Sequence, residues 1–414
     1  MDQEKGGLFY GWFIVGICFI VNFVIFGISV NTFTVYVKPI ETDLGWSRDQ
    51  VTLAMGLAPL AMGAASPFIG RLIDRIGARY VMAAGAAVIG IGSLLLARTE
   101  SRLYFYTIYS IAGVGQAAAT IIPISLVISN WFTLKRGKAL GFVMTGTGLG
   151  AMVMVPVSTW IVIHWGWRTS YAIMGCIILL MVPLSLIFVR TRPSDMGMQP
   201  DGGVVAKTTE PVVLEGVTVT EAFGTAAFWL IAVMMLLSGL VAMGIGVNLM
   251  PYLTDKNVGH SPTTAALIIS IISFMTVTGK IGIGFIADRW GIQRAVALAF
   301  SILVAGIFLS MGARSFPIAC TFAVVYGFAI GTPLLINPAL TADCLGLKNF
   351  GSIFGILTLI NVVGVAVGAY TTGVIYVKAG ESYLPAFWLF IVLMTIAGFC
   401  GVMARKERPE ELEH

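Results

Sequence analysis

Charge is the scarcest property of this sequence: Asp, Glu, Lys and Arg together make up 11% of its 414 residues, while 57% are hydrophobic. A water-soluble domain carries roughly 25% charged residues, so this chain cannot cover a surface in water. Its apolar content equally excludes a disordered chain. Histidine is nearly missing, and the five cysteines (Cys18, Cys176, Cys320, Cys344, Cys400) are scattered without paired spacing. They read as small core residues, so no disulfide framework and no metal site is expected. There is no nucleophile–base motif, phosphate loop or metal-spaced His/Cys set. His164 and His260 stand alone and His414 lies in the tail, so neither an enzyme nor a cofactor is expected.

What the chain does have is long apolar runs. A helix crosses the roughly 30 Å hydrocarbon layer in about 20 residues, and twelve runs meet that length: 9–37, 49–69, 79–98, 103–128, 138–163, 168–190, 225–253, 262–286, 292–312, 315–340, 350–373 and 382–404. They are apolar throughout, which excludes the alternating strands of a membrane barrel. The first is too long for a signal peptide and has no small-residue cleavage site after it. The one long polar stretch, 191–224, holds Pro193, Pro200, Pro211 and the pair Gly202–Gly203. It divides the chain into 1–190 and 225–404, six spans each, with a charged tail at 405–414. The final Leu412-Glu413-His414 looks like the remnant of an expression tag.

Basic residues set the orientation of such a chain. With both termini cytoplasmic, 16 Lys and Arg fall in cytoplasmic segments and 8 in outer ones; Lys280, inside span 8, completes the 25. The expected protein is therefore a multi-pass cell-membrane protein, of a bacterial inner membrane, with both ends in the cytoplasm. Its net charge of +5 reflects topology and gives no reason to expect nucleic acid as a partner.

The halves share a signature. Between spans 2 and 3 the chain reads Gly70-Arg-Leu-Ile-Asp74-Arg75-Ile-Gly77-Ala-Arg79, and between spans 8 and 9 Gly284-Phe-Ile-Ala-Asp288-Arg289-Trp-Gly291-Ile-Gln-Arg294. Glycine lets helices approach closely, and a carboxylate near a helix end can hold basic residues and helix N-termini. Asp74, Arg75, Arg79, Asp288, Arg289 and Arg294 are thus candidates for a cytoplasmic gate. The repeated motif resembles that of the major facilitator superfamily. The resemblance implies an all-α membrane fold of twelve helices, in two pseudo-symmetric six-helix bundles around a central cavity, with alternating access and a functional monomer.

Intramembrane polar groups are functional candidates by default. All 20 acids lie in loops, termini or helix ends, and the deepest cation is Lys280. An ammonium without an internal anion, beside Gly279, Gly282 and Gly284 that open space, is a natural receptor for an anionic substrate. The bland alternative is that Lys280 snorkels toward the cytoplasm. Further matches sharpen the resemblance: Gly7-Leu-Phe-Tyr-Gly11-Trp12, the Asn31-to-Lys38 end of span 1, Trp131 to Gly150 around the start of span 5, Gly327 to Asp343 in span 10, and Gly351 to Asn361 in span 11. These are similar to the monocarboxylate transporters and their oxalate–formate antiporter relatives. In that family the span-8 cation is usually Arg, with Asp a turn earlier in animal members, where this chain has Lys280 and Thr276. Asn31 stands where animal members place a span-1 lysine, and Asn361 where the oxalate relatives place a second cation. One cation suits one carboxylate, which favours lactate or pyruvate over oxalate. Whether Lys280 replaces a natural arginine is open at this point.

Arginine stays protonated, whereas a desolvated lysine can shed its proton. Lys280 is therefore expected to carry a proton as well as the anion, giving electroneutral symport, with Asp255 and His260 as an outer relay or, on the bland reading, a solvated loop. Asn31, Gln116, Asn248, Asn337 and Asn361 can supply amide donors to a carboxylate, and Tyr252 and Tyr326 hydroxyls. The resemblance makes Ile330 and Leu334 a size-selecting wall. The competing functions are an anion exchanger of the oxalate or formate type and a carboxylate sensor that moves nothing.

Overall fold

The computed structural model describes residues 9–202, 216–255, 258–380 and 382–405. The middle of the polar stretch, the tail with its apparent tag, and the Gly7-Leu8 start of the span-1 signature lie outside the described residues. Eleven helices among the described residues are long and apolar enough to cross a membrane. They are α1 (Tyr10–Leu44), α2 (Gln50–Ile76), α3 (Ala78–Leu96), α4 (Arg102–Trp131), a fifth of 53 residues (Arg136–Phe188), then α7 (Ala226–Thr254), α8 (Thr263–Trp290), α9 (Ile292–Met311), α10 (Phe316–Leu345), α11 (Phe350–Lys378) and α12 (Leu384–Met403). At about 1.5 Å per residue the fifth is far too long for one crossing. It turns at Gly166, whose φ of 80° is left-handed backbone that glycine adopts without a Cβ clash. We label its two arms α5 (136–165) and α6 (167–188), and the twelve crossings expected from the apolar runs are all present.

Three crossings are interrupted. α1 contains a π-helical turn at Gly27–Asn31, a feature common at functional sites. α4 breaks at Thr120, just before Pro123, and α10 breaks at Gly331–Thr332, just before Pro333. Proline lacks the N–H that would continue the hydrogen-bond ladder, so a new helix starts there in both halves at corresponding places.

The N-terminal half carries a buried hydroxyl cluster near the end remote from the linker. Tyr36 Oη, Ser158 Oγ and Ser170 Oγ bond mutually, at 2.9–3.2 Å. Tyr109 and Tyr171 share a hydrogen bond, and the Tyr36 and Tyr171 rings stack with centroids 4.0 Å apart. These groups tie α1, α4, α5 and α6 together.

The halves meet along α2–α11 and α5–α8, on the side where the linker lies. A Cβ on Gly70 would stand 1.9 Å from the Gly351 carbonyl oxygen, and one on Gly137 would stand 2.4 Å from that of Gly284. The contact continues through Gly355 against Ser66 and Gly63 against Val362, whereas Gly56, two turns further along α2, has nothing within 4 Å. The zipper therefore closes the molecule on the linker side and ends near mid-helix.

Candidate functional site

The repeated motif works as two latches. The Asp74 carboxylate accepts the backbone N–H groups of Gly351 (3.0 Å) and Ser352 (2.8 Å), and the Ser352 hydroxyl at 2.6 Å. Asp288 accepts those of Gly137 (2.6 Å) and Lys138 (2.9 Å). Each acid thus caps the first turn of a helix from the other half, where unpaired N–H groups and the helix dipole favour a negative charge. The motif glycine one turn earlier makes this reachable, because it seats the partner helix against bare backbone. The basic residues take no part. Among the described residues none of Arg75, Arg79, Arg289 and Arg294 forms an ion pair with either acid. Arg75, Arg289 and Arg294 are exposed and Arg79 is half-buried.

Lys280 is buried, with 2% of its surface accessible. Its Nζ crosses to α5, donating to the Met144 carbonyl at 3.0 Å and to Thr147 Oγ1 at 2.7 Å. A snorkelling path to the linker side is not what the side chain follows. The lysine stem passes the break in α10: a Cβ on Gly331 would stand 2.8 Å from Lys280 Cε and 2.3 Å from Thr276 Cγ2. Met144, Thr147 and Gly331 are the site residues that the sequence reading did not single out. The glycines beside Lys280 do not open space for a ligand. Gly279 and Gly282 pack on Phe328 of α10, and Gly284 on Gly137.

The expected amide donors are mostly turned to backbone carbonyls. Asn31 Nδ2 donates to Phe26 (2.9 Å) and Asn248 Nδ2 to Gly244 (2.9 Å), both within their own helices. Asn361 Nδ2 reaches the Met235 carbonyl of α7 at 2.7 Å, and Gln116 Nε2 reaches Ser29 Oγ at 3.1 Å. Asn337 is buried, and its Oδ1 has no partner among the described residues. Asn22, absent from the sequence expectations, is buried and donates to the Val143 carbonyl of α5 at 3.0 Å. Tyr326 is buried against Gly306 of α9, inside its own half, and the Tyr252 hydroxyl donates to the Ser310 carbonyl. Ile330 and Leu334 flank the α10 break and are partly buried.

Asp255 and His260 sit together in the α7–α8 turn. The Gly259 N–H donates to the Asp255 carbonyl at 2.7 Å, and His260 Nε2 lies 2.7 Å from the Ala313 carbonyl oxygen. The Tyr376 hydroxyl donates to Asp255 Oδ2 at 3.4 Å. Lys280 lies about 27 Å further along α8 at 1.5 Å per residue, so the turn and the cation do not touch.

Two helical halves, latched on one side and joined by a buried cation, are the arrangement of a membrane transporter. The chain belongs to the major facilitator superfamily, whose family model matches residues 17–306 and 247–414; it is a multi-pass membrane transporter and not an enzyme. It is similar to an uncharacterized MFS-type transporter, YhjX, of Escherichia coli strain K12, with 24% identity over 80% of this chain and 80% of that protein. It is 23% identical to monocarboxylate transporter 12-B of Danio rerio, over 94% of this chain and 86% of the relative. Identity is also 23% to an oxalate:formate antiporter of Oxalobacter formigenes, over 89% and 86% of the two chains. Among solved structures, the human organic anion transporter MFSD10 superposes with a TM-score of 0.71 at 14% identity, covering 94% of this chain and 99% of that one. At that identity the likeness concerns the fold.

Proposed function

We propose that the protein moves small monocarboxylates of the lactate or pyruvate type across the cell membrane, together with a proton, by alternating access. Lys280 carries the reading. It is a buried cation whose ammonium has three donors and meets two neutral acceptors, neither of them an anion. A substrate carboxylate would complete that shell with a charge-assisted bond, the strong kind. Relatives named as monocarboxylate transporters and as an oxalate:formate antiporter support a small carboxylate as cargo. Excess basic residues on the linker side support a cytoplasmic location for that side and for both termini.

The geometry suggests how binding couples to movement. Lys280 holds α5 and α8 together at mid-membrane, on the same pair of helices that the Asp288 latch joins below. A carboxylate that takes the third donor draws the ammonium toward itself, weakens the bonds to Met144 and Thr147, and so loosens α5 from α8. With the anion bound, the pair is neutral and the halves can rock at low electrostatic cost. After release Lys280 gives up its proton and the carrier returns. Asp255 and His260 remain the proposed outer relay. Asn31, Asn361, Asn337, Gln116 and Asn248 are the proposed polar lining, without Tyr326, which is turned into its own half, and Ile330 and Leu334 are the wall beside the lysine stem.

The test is uptake of radiolabelled L-lactate into proteoliposomes, with and without an inward proton gradient, for the parent, Lys280→Arg and Lys280→Gln. The expected result is gradient-driven uptake in the parent and a loss of about tenfold or more in Lys280→Gln, tenfold corresponding to ~1.4 kcal/mol. Undiminished uptake in Lys280→Gln sinks the assignment. Better gradient-driven transport by Lys280→Arg than by the parent sinks the proton-carrier role alone. The second reading, anion exchange, is favoured by the antiporter relative. It predicts uptake that depends on oxalate or formate inside the vesicles and ignores the proton gradient.

A further inference from the structure

The arginines that the Asp74 latch leaves aside line a cleft of about 420 Å³ on the linker side, where both halves contribute. Arg75 and Arg79 enter from the α2–α3 turn, Arg190 and Arg192 from the chain after α6, and Lys348 from the turn before α11 of the other half. The two acids on its wall are engaged elsewhere: Asp74 caps α11, and Asp195 Oδ2 accepts the Arg192 backbone N–H at 3.0 Å. Arg190 Nη1 is taken up by the Ile187 and Val189 carbonyls, at 2.9 and 3.2 Å, which leaves four cations at one space with no ion pair to a carboxylate among the described residues.

Three further observations point to an anion with bonding capacity of its own. Arg79 Nε is buried and finds no acceptor among the described residues. Helix α3 begins at the cleft wall, after Gly77, with no side chain capping its first turn, so its N–H groups and dipole add a positive end. Asn130 is 4% exposed, and its Nδ2 is fixed on the Thr191 carbonyl at 3.0 Å. That leaves its Oδ1, also without a partner among the described residues, as an acceptor at the wall. A planar carboxylate uses two oxygens and donates nothing. A tetrahedral phosphate presents three or four oxygens to guanidinium forks, and in its monoprotonated form it offers a P–OH to Asn130.

We propose that this cleft binds phosphate, either the phosphate of an anionic phospholipid headgroup or free inorganic phosphate, and that the bound group bridges the two halves. Its shared chemistry is a phosphate or phosphomonoester bearing one P–OH, held by Arg79, Arg192 and Lys348. Opening of the linker side would carry Lys348 away from the arginines, so the ligand favours the closed arrangement.

The full-length protein is titrated with inorganic phosphate at constant ionic strength and, separately, with dioleoyl phosphatidic acid in detergent, using native mass spectrometry and thermal unfolding. The variants are Arg79→Gln with Arg192→Gln, the exposed-residue substitution Lys348→Gln, and, as a control, Arg71→Gln with Arg98→Gln, which removes the same two charges outside the cleft. In at least one arm the parent and the control are expected to bind about tenfold or more tightly than the Arg79→Gln, Arg192→Gln double variant. Lys348→Gln falls between them. Saturation by phosphatidic acid alone assigns a lipid headgroup, saturation by inorganic phosphate alone assigns the free ion, and both together assign the shared group. Equal binding by parent, the cleft double variant and Lys348→Gln in both arms, or binding in neither, overturns the proposal.

Discussion

At the scale of single residues, the decisive position beside Lys280 is a residue with no side chain. Gly331 has an ordinary backbone conformation (φ −83°), so its substitution is a question of space alone. A methyl there meets Thr276 Cγ2 at 2.3 Å, and a β-branched neighbour has little rotamer freedom to retreat. Gly331→Ala is therefore expected to displace the lysine stem and lower lactate uptake several-fold, while elution on size exclusion stays that of a folded protein. Gly16→Ala is the contrasting case, with nothing within 4 Å of the added carbon, and should leave uptake unchanged. Lys280 itself was legible in the sequence because a charge in an apolar run is costly wherever it points. Its acceptors were not. The Met144 carbonyl has no sequence signature, and Thr147 lies 133 positions away. The amides show the same limit. Asn31 and Asn248 each look like a donor to a ligand, yet they bond carbonyls of their own helices, because a residue's presence in a span does not say which way it faces.

Among elements, the pair of latches makes the clearest prediction. Asp74 and Asp288 cap different helices and share no partner, so their contributions should add within a few tenths of a kcal/mol, as separated sites do. Asp74→Asn or Asp288→Asn each keeps an acceptor but removes the charge, a loss of about 1 kcal/mol for an N-terminal cap. Spin labels at the linker-side ends of α2 and α11 should show a partial shift to longer distances in each single variant and a summed shift in the double. Gly70→Leu should open the same distance further, because the side chain has to occupy the position of the Gly351 carbonyl. The repeat was readable from the chain, and so was its place at the junction. That an acid there can hold helix starts was readable as well; which starts they are, and that the arginines are left aside, was not, since the starts of α5 and α11 come close to the acids only in the folded halves. The boundary between the fifth and sixth spans was readable too, since the apolar runs 138–163 and 168–190 leave the gap in which the chain turns. Gly166, in left-handed backbone, ends one crossing and starts the next without an intervening loop.

For the molecule as a whole, the composition and the twelve runs were enough for architecture, and the count of Lys and Arg supports the proposed orientation. A cysteine at Ser194, in a background lacking the exposed Cys176, is expected to react with a membrane-impermeant thiol reagent only from the inner face of vesicles. A cysteine at the exposed Thr42 should react only from the outer face. Reversed labelling would turn the proposed direction of transport around. The state of the machine could not be read from the chain, because the same residues serve every arrangement of the halves. It shows in the α2–α11 glycine contacts, which close one side and stop near Gly63.

The hydroxyl cluster of Tyr36, Tyr109, Ser158, Ser170 and Tyr171 gives that machine a fixed length. Four crossings are fastened to one another by groups that water does not reach, and separating them would strand several hydroxyls in hydrocarbon at once. The N-terminal half consequently turns as one piece at that end. Fluorophores attached on α1 and α6 near the cluster should report the same separation with substrate on either side of the membrane, which makes them the stationary ruler against which the travel of every other helix can be read.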